Sequence, residues 1–153
     1  MKRVLSFLFI VLIVFCVSIN TCASSDNTIT VEYFADGSCI ETTLVVEKGV
    51  SAYATQYKDG TKKITYKDED GIVCWSATLT ATFRYTGSSA TCTDSDVTYT
   101  IHDSAWRMTS ATASKSGNTA TADVTAKRYT LGIPFKTIDR TITMTCSANG
   151  TIS

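Results

Sequence analysis

The clearest alternation of the chain falls in the segment from Gly71 to Tyr85. Val73, Trp75, Ala77, Leu79, Ala81, Phe83 and Tyr85 fall on one side, and Cys74, Ser76, Thr78, Thr80, Thr82 and Arg84 on the other. On a helix these residues would wrap around the axis, whereas a strand sends successive side chains to opposite faces. The pattern predicts one long central strand, twisted or bulged near its middle, with the aromatic row turned inward.

Shorter alternations flank it. Thr28 to Phe34 predicts a first strand closed by Asp36 and Gly37. Leu44 to Val46 predicts a second, broken at Lys48 and Gly49. Val50 to Tyr57 resumes the pattern, and Asp59-Gly60 predicts a hairpin from which Lys62 to Lys67 returns. After the acidic turn Asp68-Glu69-Asp70 and the long strand, Val97 to Ile101 and Trp106 to Ala113 predict two more strands. A turn around Gly117 leads into Thr119 to Lys127, with Ala120, Ala122, Val124 and Ala126 inward. Gly132 and Pro134 interrupt the next run, where Phe135 is expected to anchor the loop from below. Ile138 to Cys146 closes the fold, with Arg140 at the rim of its apolar face, stem packed and charge wet. No stretch of ten residues keeps a helical period.

About nine short strands predict an all-β chain, a two-sheet antiparallel β-sandwich that is immunoglobulin-like in architecture, with a barrel as the alternative. The usual immunoglobulin Cys/Trp signature is not reproduced, because Trp75 follows Cys74 directly. Threonine, at 27 of 153 residues, with a single proline, supports strands over helices.

Met1, Lys2 and Arg3 followed by the apolar stretch Val4 to Ile19 predict a signal peptide over residues 1–23, cleaved after Ala23, and a single domain over 24–153. An uncleaved anchor, or lipidation at Cys22, is the alternative. The mature chain then carries 12 basic against 14 acidic residues, a balance that offers nucleic acid no bulk attraction. The expected location is secreted or extracellular, at most surface-associated, with no stable membrane insertion once the leader is gone.

Cys39, Cys74, Cys92 and Cys146 remain after cleavage. In an oxidising compartment they predict two disulfides with three possible connectivities. Their spacing lacks the close pairs of a zinc site, and no cofactor or metal motif is present.

His102, Asp103 and Ser104 contain the residue types of a hydrolytic triad, but adjacent side chains on extended backbone point apart, so a turn cap is the expected role. Asp68 and Asp70 would hold calcium only by converging with Asp94 and Asp96. The more informative cluster is aromatic and basic: Tyr53, Tyr57 and Tyr66 with Lys58 and Lys62, around Asp59-Gly60. If Ala52 and Ala54 face the core, Tyr53 and Tyr57 form an outward patch able to stack on sugar or engage a protein. If the rings are core, the patch does not exist.

The segments VCWSATLTATFRYTGSSATC, SAWRMTSATASKSGNTATADVTAKRY and TITMTCSANGTIS resemble a group of small secreted all-β proteins of Gram-positive bacteria, over roughly Val73 to Ser153. The resemblance implies export and Cys92 paired with Cys146, which leaves Cys39 for Cys74. It carries no catalytic residue. The expected function is therefore a non-enzymatic, secreted or cell-surface binding module for a protein or glycan partner, or a structural, protective or inhibitory accessory protein acting through its loops.

Overall fold

The computed structural model describes residues 26–47 and 55–153. The leader, its cleavage site, Tyr53, and Ala52 and Ala54 lie outside the described residues. Eight strands follow in order: β1 (Asp26–Tyr33), β2 (Cys39–Val46), β3 (Gln56–Lys67), β4 (Val73–Tyr85), β5 (Ala90–Ile101), β6 (Trp106–Ser116), β7 (Thr119–Thr130) and β8 (Ile133–Thr145). They form two antiparallel sheets, β1-β2-β3-β4-β5 and β6-β7-β8, packed as a sandwich. Every hydrogen-bonded neighbour is also a sequence neighbour, so the chain meanders without the crossing connections of an immunoglobulin domain.

The central alternation behaves as its pattern predicts. Trp75, Ala77, Leu79 and Phe83 are fully buried, but the expected bulge is not at the strand's middle: Cys74, near the start of β4, is an extra residue opposite Tyr66 and Lys67, and a second extra residue, Thr93, belongs to β5, opposite Thr82 and Phe83. The inward alanines Ala120, Ala122 and Ala126 are equally buried. Large side chains from the first sheet need small ones opposite for the layers to close, which is why β7 is poor in bulk. At one end of the core Tyr66 stacks on Trp75 with ring centroids 5.7 Å apart, and Trp106 tilts against both.

Gly60 departs from expectation. It lies inside β3, paired with Val46 on one side and Ala81 on the other, and there is no hairpin at Asp59-Gly60. The glycine is needed for space: a Cβ would come within 3.3 Å of Ile152 Cδ1 and Met144 Sδ, where the end of the chain folds across the open side of the sandwich.

The sheets are unequal. β8 lies over β3, and β7 over β4 and β5, so β1 extends past the shorter sheet, while β2 contributes Ile40 and Val46 to the core and leaves Thr42 and Leu44 partly exposed between them. β1 consequently has no covered face. Ile29, Val31 and Tyr33 point outward, at 63%, 46% and 74% exposure, while Thr28, Thr30 and Glu32 occupy the uncovered inner side. The inner side ends at Arg140, which stacks over Phe34 and donates to Glu32 at 2.9 Å, the rim position its register predicts.

Candidate functional site

The strand period of two separates Tyr66, Lys58 and Lys62 from Tyr57, which alone of the described patch residues faces outward with its ring exposed. Tyr57 is exposed on the outer face of β3, whereas Lys58, Lys62 and Tyr66 belong to the inner face. Tyr66 is core, with its hydroxyl near the rim. Lys58 Nζ donates to the Gly150 carbonyl at 2.9 Å, and Lys62 Nζ to the Thr143 carbonyl at 2.8 Å, so both tie the open side of the sandwich instead of flanking exposed rings.

The other candidates resolve as follows. Asp103 caps the β5–β6 turn, its carboxylate accepting from the Ala105 amide at 2.9 Å, which is the expected cap. Asp68 Oδ1 likewise accepts the amides of Asp70 and Ile72 within its own turn. Asp94 and Asp96 do not converge with that turn: they pair with Thr82 and Thr80, well along β4 from Trp75. Among the described residues no three His, Cys, Asp or Glu side chains gather as metal ligands.

All four cysteines are buried and unbridged, so the expected disulfides are not formed in this structure. For Cys39 and Cys74 the reason is topological. Strand β3 runs between them, and two strand spacings, roughly 9 to 10 Å, exceed the reach of about 7 Å for a bridge. Cys92 and Cys146 instead face inward from opposite sheets and donate their amides to adjacent carbonyls, those of Gly117 and Asn118. Burial raises the thiol pKa of Cys74, Cys92 and Cys146, which lowers their thiolate fraction and slows their exchange chemistry.

What the fold does assemble lies at the aromatic end. Lys136 reaches from β8 to the Tyr66 hydroxyl at 2.7 Å and to the Asp36 carboxylate, and Asp36 also accepts from the Ser38 hydroxyl and amide. These hydrogen bonds, the one from Lys136 foremost, hold the Asp36 carboxyl far below the usual carboxylate range. Burial opposes the charge on Lys136, yet its bonds to Asp36 and Tyr66 outweigh that and raise its pKa. The network floors a cleft of about 240 Å3 that Asp68, Glu69, Asp70, Arg128 and Phe135 complete.

Beside that cleft the β7–β8 hairpin projects. Its two-residue turn is Leu131-Gly132, with φ of 51° and 81°, the pair of positive angles a type I′ turn demands. Leu131 is 98% exposed, Ile133 69% and Phe135 57%, so Phe135 does not anchor the loop from below as its sequence position suggests. Arg107 stacks over Tyr129 at 4.8 Å and Arg128 over Phe135 at 5.4 Å, bracing the base of the tip. The sequence does hold a signal for this tip: Leu131 stands in the turn, where Asn or Asp is usual, and Ile133 and Phe135 follow it.

Comparison of the chain with protein-family models, with curated proteins and with solved structures returns no match.

Proposed function

We propose that the chain is an exported, non-enzymatic module that grips a protein partner with the tip of the β7–β8 hairpin. The observation that carries this reading is Leu131. A β-carbon at positive φ costs about 1–2 kcal/mol, and a side chain at 98% exposure recovers none of it by burial. Its return then comes from what it touches outside the molecule, which is the usual relation between local strain and function. Ile133 and Phe135 widen the apolar tip into an anchor of the kind that fills a pocket on a partner.

A protein fits this tip better than a glycan. Leu131 and Ile133 offer sugar hydroxyls no hydrogen bond, and the neighbouring arginines are occupied in bracing Tyr129 and Phe135. Export rests on the charged and apolar leader read from the sequence.

The test uses the mature protein as bait against surface and extracellular fractions, alongside Leu131→Asn, which suits the turn and removes the apolar anchor. A protein captured saturably by the native chain and lost with the variant is the expected result. Equal capture by both, or a glycan ligand indifferent to the substitution, overturns the reading.

A further inference from the structure

The open side of the sandwich carries a second surface, independent of the hairpin tip. Residues Thr151 to Ser153 turn back along the free edge of β8: Cys146 bridges Ile152, and Thr145 and Ser153 exchange both amide-to-carbonyl bonds. Thr151 to Ser153 thus lie against the shorter sheet where a fourth strand would pair.

Antiparallel strands direct alternate residues to alternate neighbours. Since Thr145 bonds to Ser153, the backbone groups of Thr143 and Thr141 also point away from β7, along the same empty lane. One of them is stoppered, because the Thr143 carbonyl accepts from Lys62 Nζ. Beneath the lane lie the uncovered inner side of β1 and the half-buried middle of β2, where Thr30, Thr42 and Leu44 floor a groove of about 290 Å3 against Ile152 and Ser153. The groove leans apolar except for Lys62. That ammonium is partly desolvated, which lowers its pKa, and it has no acidic partner among the described residues.

We propose that the free edge of β8 takes an extended segment of a partner protein as an antiparallel fourth strand, with apolar side chains over Leu44 and one carboxylate that draws Lys62 off the Thr143 carbonyl. Main-chain bonds to Thr141 and Thr143 supply the register, and the alternate side chains supply selectivity, as in other strand additions. The chain's own Ile152 and Ser153 mark where such a strand sits, and the unpaired lysine sets its charge. Lysine is also the residue with which proteins guard an exposed edge; here the guard and the recognition element are one side chain, released only by an acid.

The probe is a phage-displayed library of random dodecapeptides, panned on the mature protein. Enriched sequences are expected to alternate apolar and polar residues with an acid on the apolar register. Synthetic copies should lose about tenfold or more in affinity for Lys62→Glu and for Thr143→Pro, each loss corresponding to a charge-assisted or main-chain hydrogen bond. Proline at Thr143 removes an amide that β7 does not use. Should that variant fail to fold, N-methylation along the peptide replaces it, and sensitivity at every second position is the expected signature. Leu131→Asn should leave peptide binding unchanged, which separates this surface from the tip. Failure to enrich, uniform N-methyl tolerance, or undiminished binding to Lys62→Glu overturns the proposal. So does self-association of the native chain that Thr143→Pro abolishes, because the occupant would then be a second copy.

Discussion

Leu131 and Gly60 show two ways a single residue departs from what its neighbours imply. At Leu131 the turn asks for Asn, and leucine stands there with its side chain in solvent. Leu131→Asn is therefore expected to stabilise the fold by about 1 kcal/mol, raising Tm by roughly 4 °C, while partner capture falls. A destabilised variant would show that leucine is held by contacts within the molecule. At Gly60 the sequence reads as a hairpin because Asp-Gly is a strong turn signal, yet the glycine serves packing against Met144 and Ile152. Those contacts come from residues 84 and 92 positions downstream, a separation no local pattern reports. Gly60→Val should cost about 1–3 kcal/mol by overpacking, measurable by urea unfolding. An unchanged midpoint would mean that Ile152 swings aside freely.

At the scale of strands, legibility followed burial. β4, buried on its aromatic face from Trp75 to Phe83, was readable to within two residues, because a core face beside a wetter one enforces alternation from Ala77 to Phe83, although Cys74 and Ser76 on its other face are buried too. β1 alternates equally well but turns Ile29, Val31 and Tyr33 outward, since no second layer covers it, and pattern alone does not say which face is wet. Tyr57 faces outward as the patch requires, but Tyr66, Lys58 and Lys62 do not join it for a related reason: sequence proximity grouped residues that the strand period divides. Between strands, the facing of Cys92 and Cys146 yields a prediction. Treated with oxidised glutathione, which is reduced to two thiols as the bridge forms, the chain without residues 1–23 is expected to join Cys92 to Cys146 first, closing a loop worth about 4 kcal/mol. Peptide mapping that finds Cys39 linked to Cys74 instead would require β3 to leave the sheet. The Asp36–Lys136 pair sets the pH response. A carboxyl held low in the fold stabilises above its unfolded pKa of about 4 and loses that contribution as pH falls below it; the raised Lys136 pKa keeps its side of the pair intact until alkaline pH. Thermal unfolding of the native chain should accordingly decline below about pH 4 more steeply than that of Asp36→Asn. Parallel acid limbs would mean that the pair adds nothing.

Over the whole molecule, the inequality of the sheets grades stability from one side to the other. Two-sheet packing followed from the count of alternating segments, but the split into five strands and three depends on where the chain leaves one layer for the other, at the short turn between Ile101 and Trp106, and nothing in that turn's composition announces it. The consequence is a centre made of β3, β4 and β7, each paired on both sides and buried on one face, and a flank in which β1 hangs from β2 alone. Opening β1 exposes little apolar surface that is not already wet, so its amides should exchange through a local fluctuation, whereas those of Leu79, Phe83 and Val124 should require global unfolding. Native-state hydrogen exchange across a denaturant series tests this directly. The β1 amides are expected to exchange first and with little denaturant dependence, and the β4 and β7 amides last, with the full slope. The amide of Thr143, which faces the empty lane, should exchange faster than that of Ile142, which faces β7, although the two are adjacent on one strand. If both were equally slow, the edge of β8 would already be covered in solution, and if β1 proved as protected as β4, the first sheet would have to be buried on a side that the eight strands leave open.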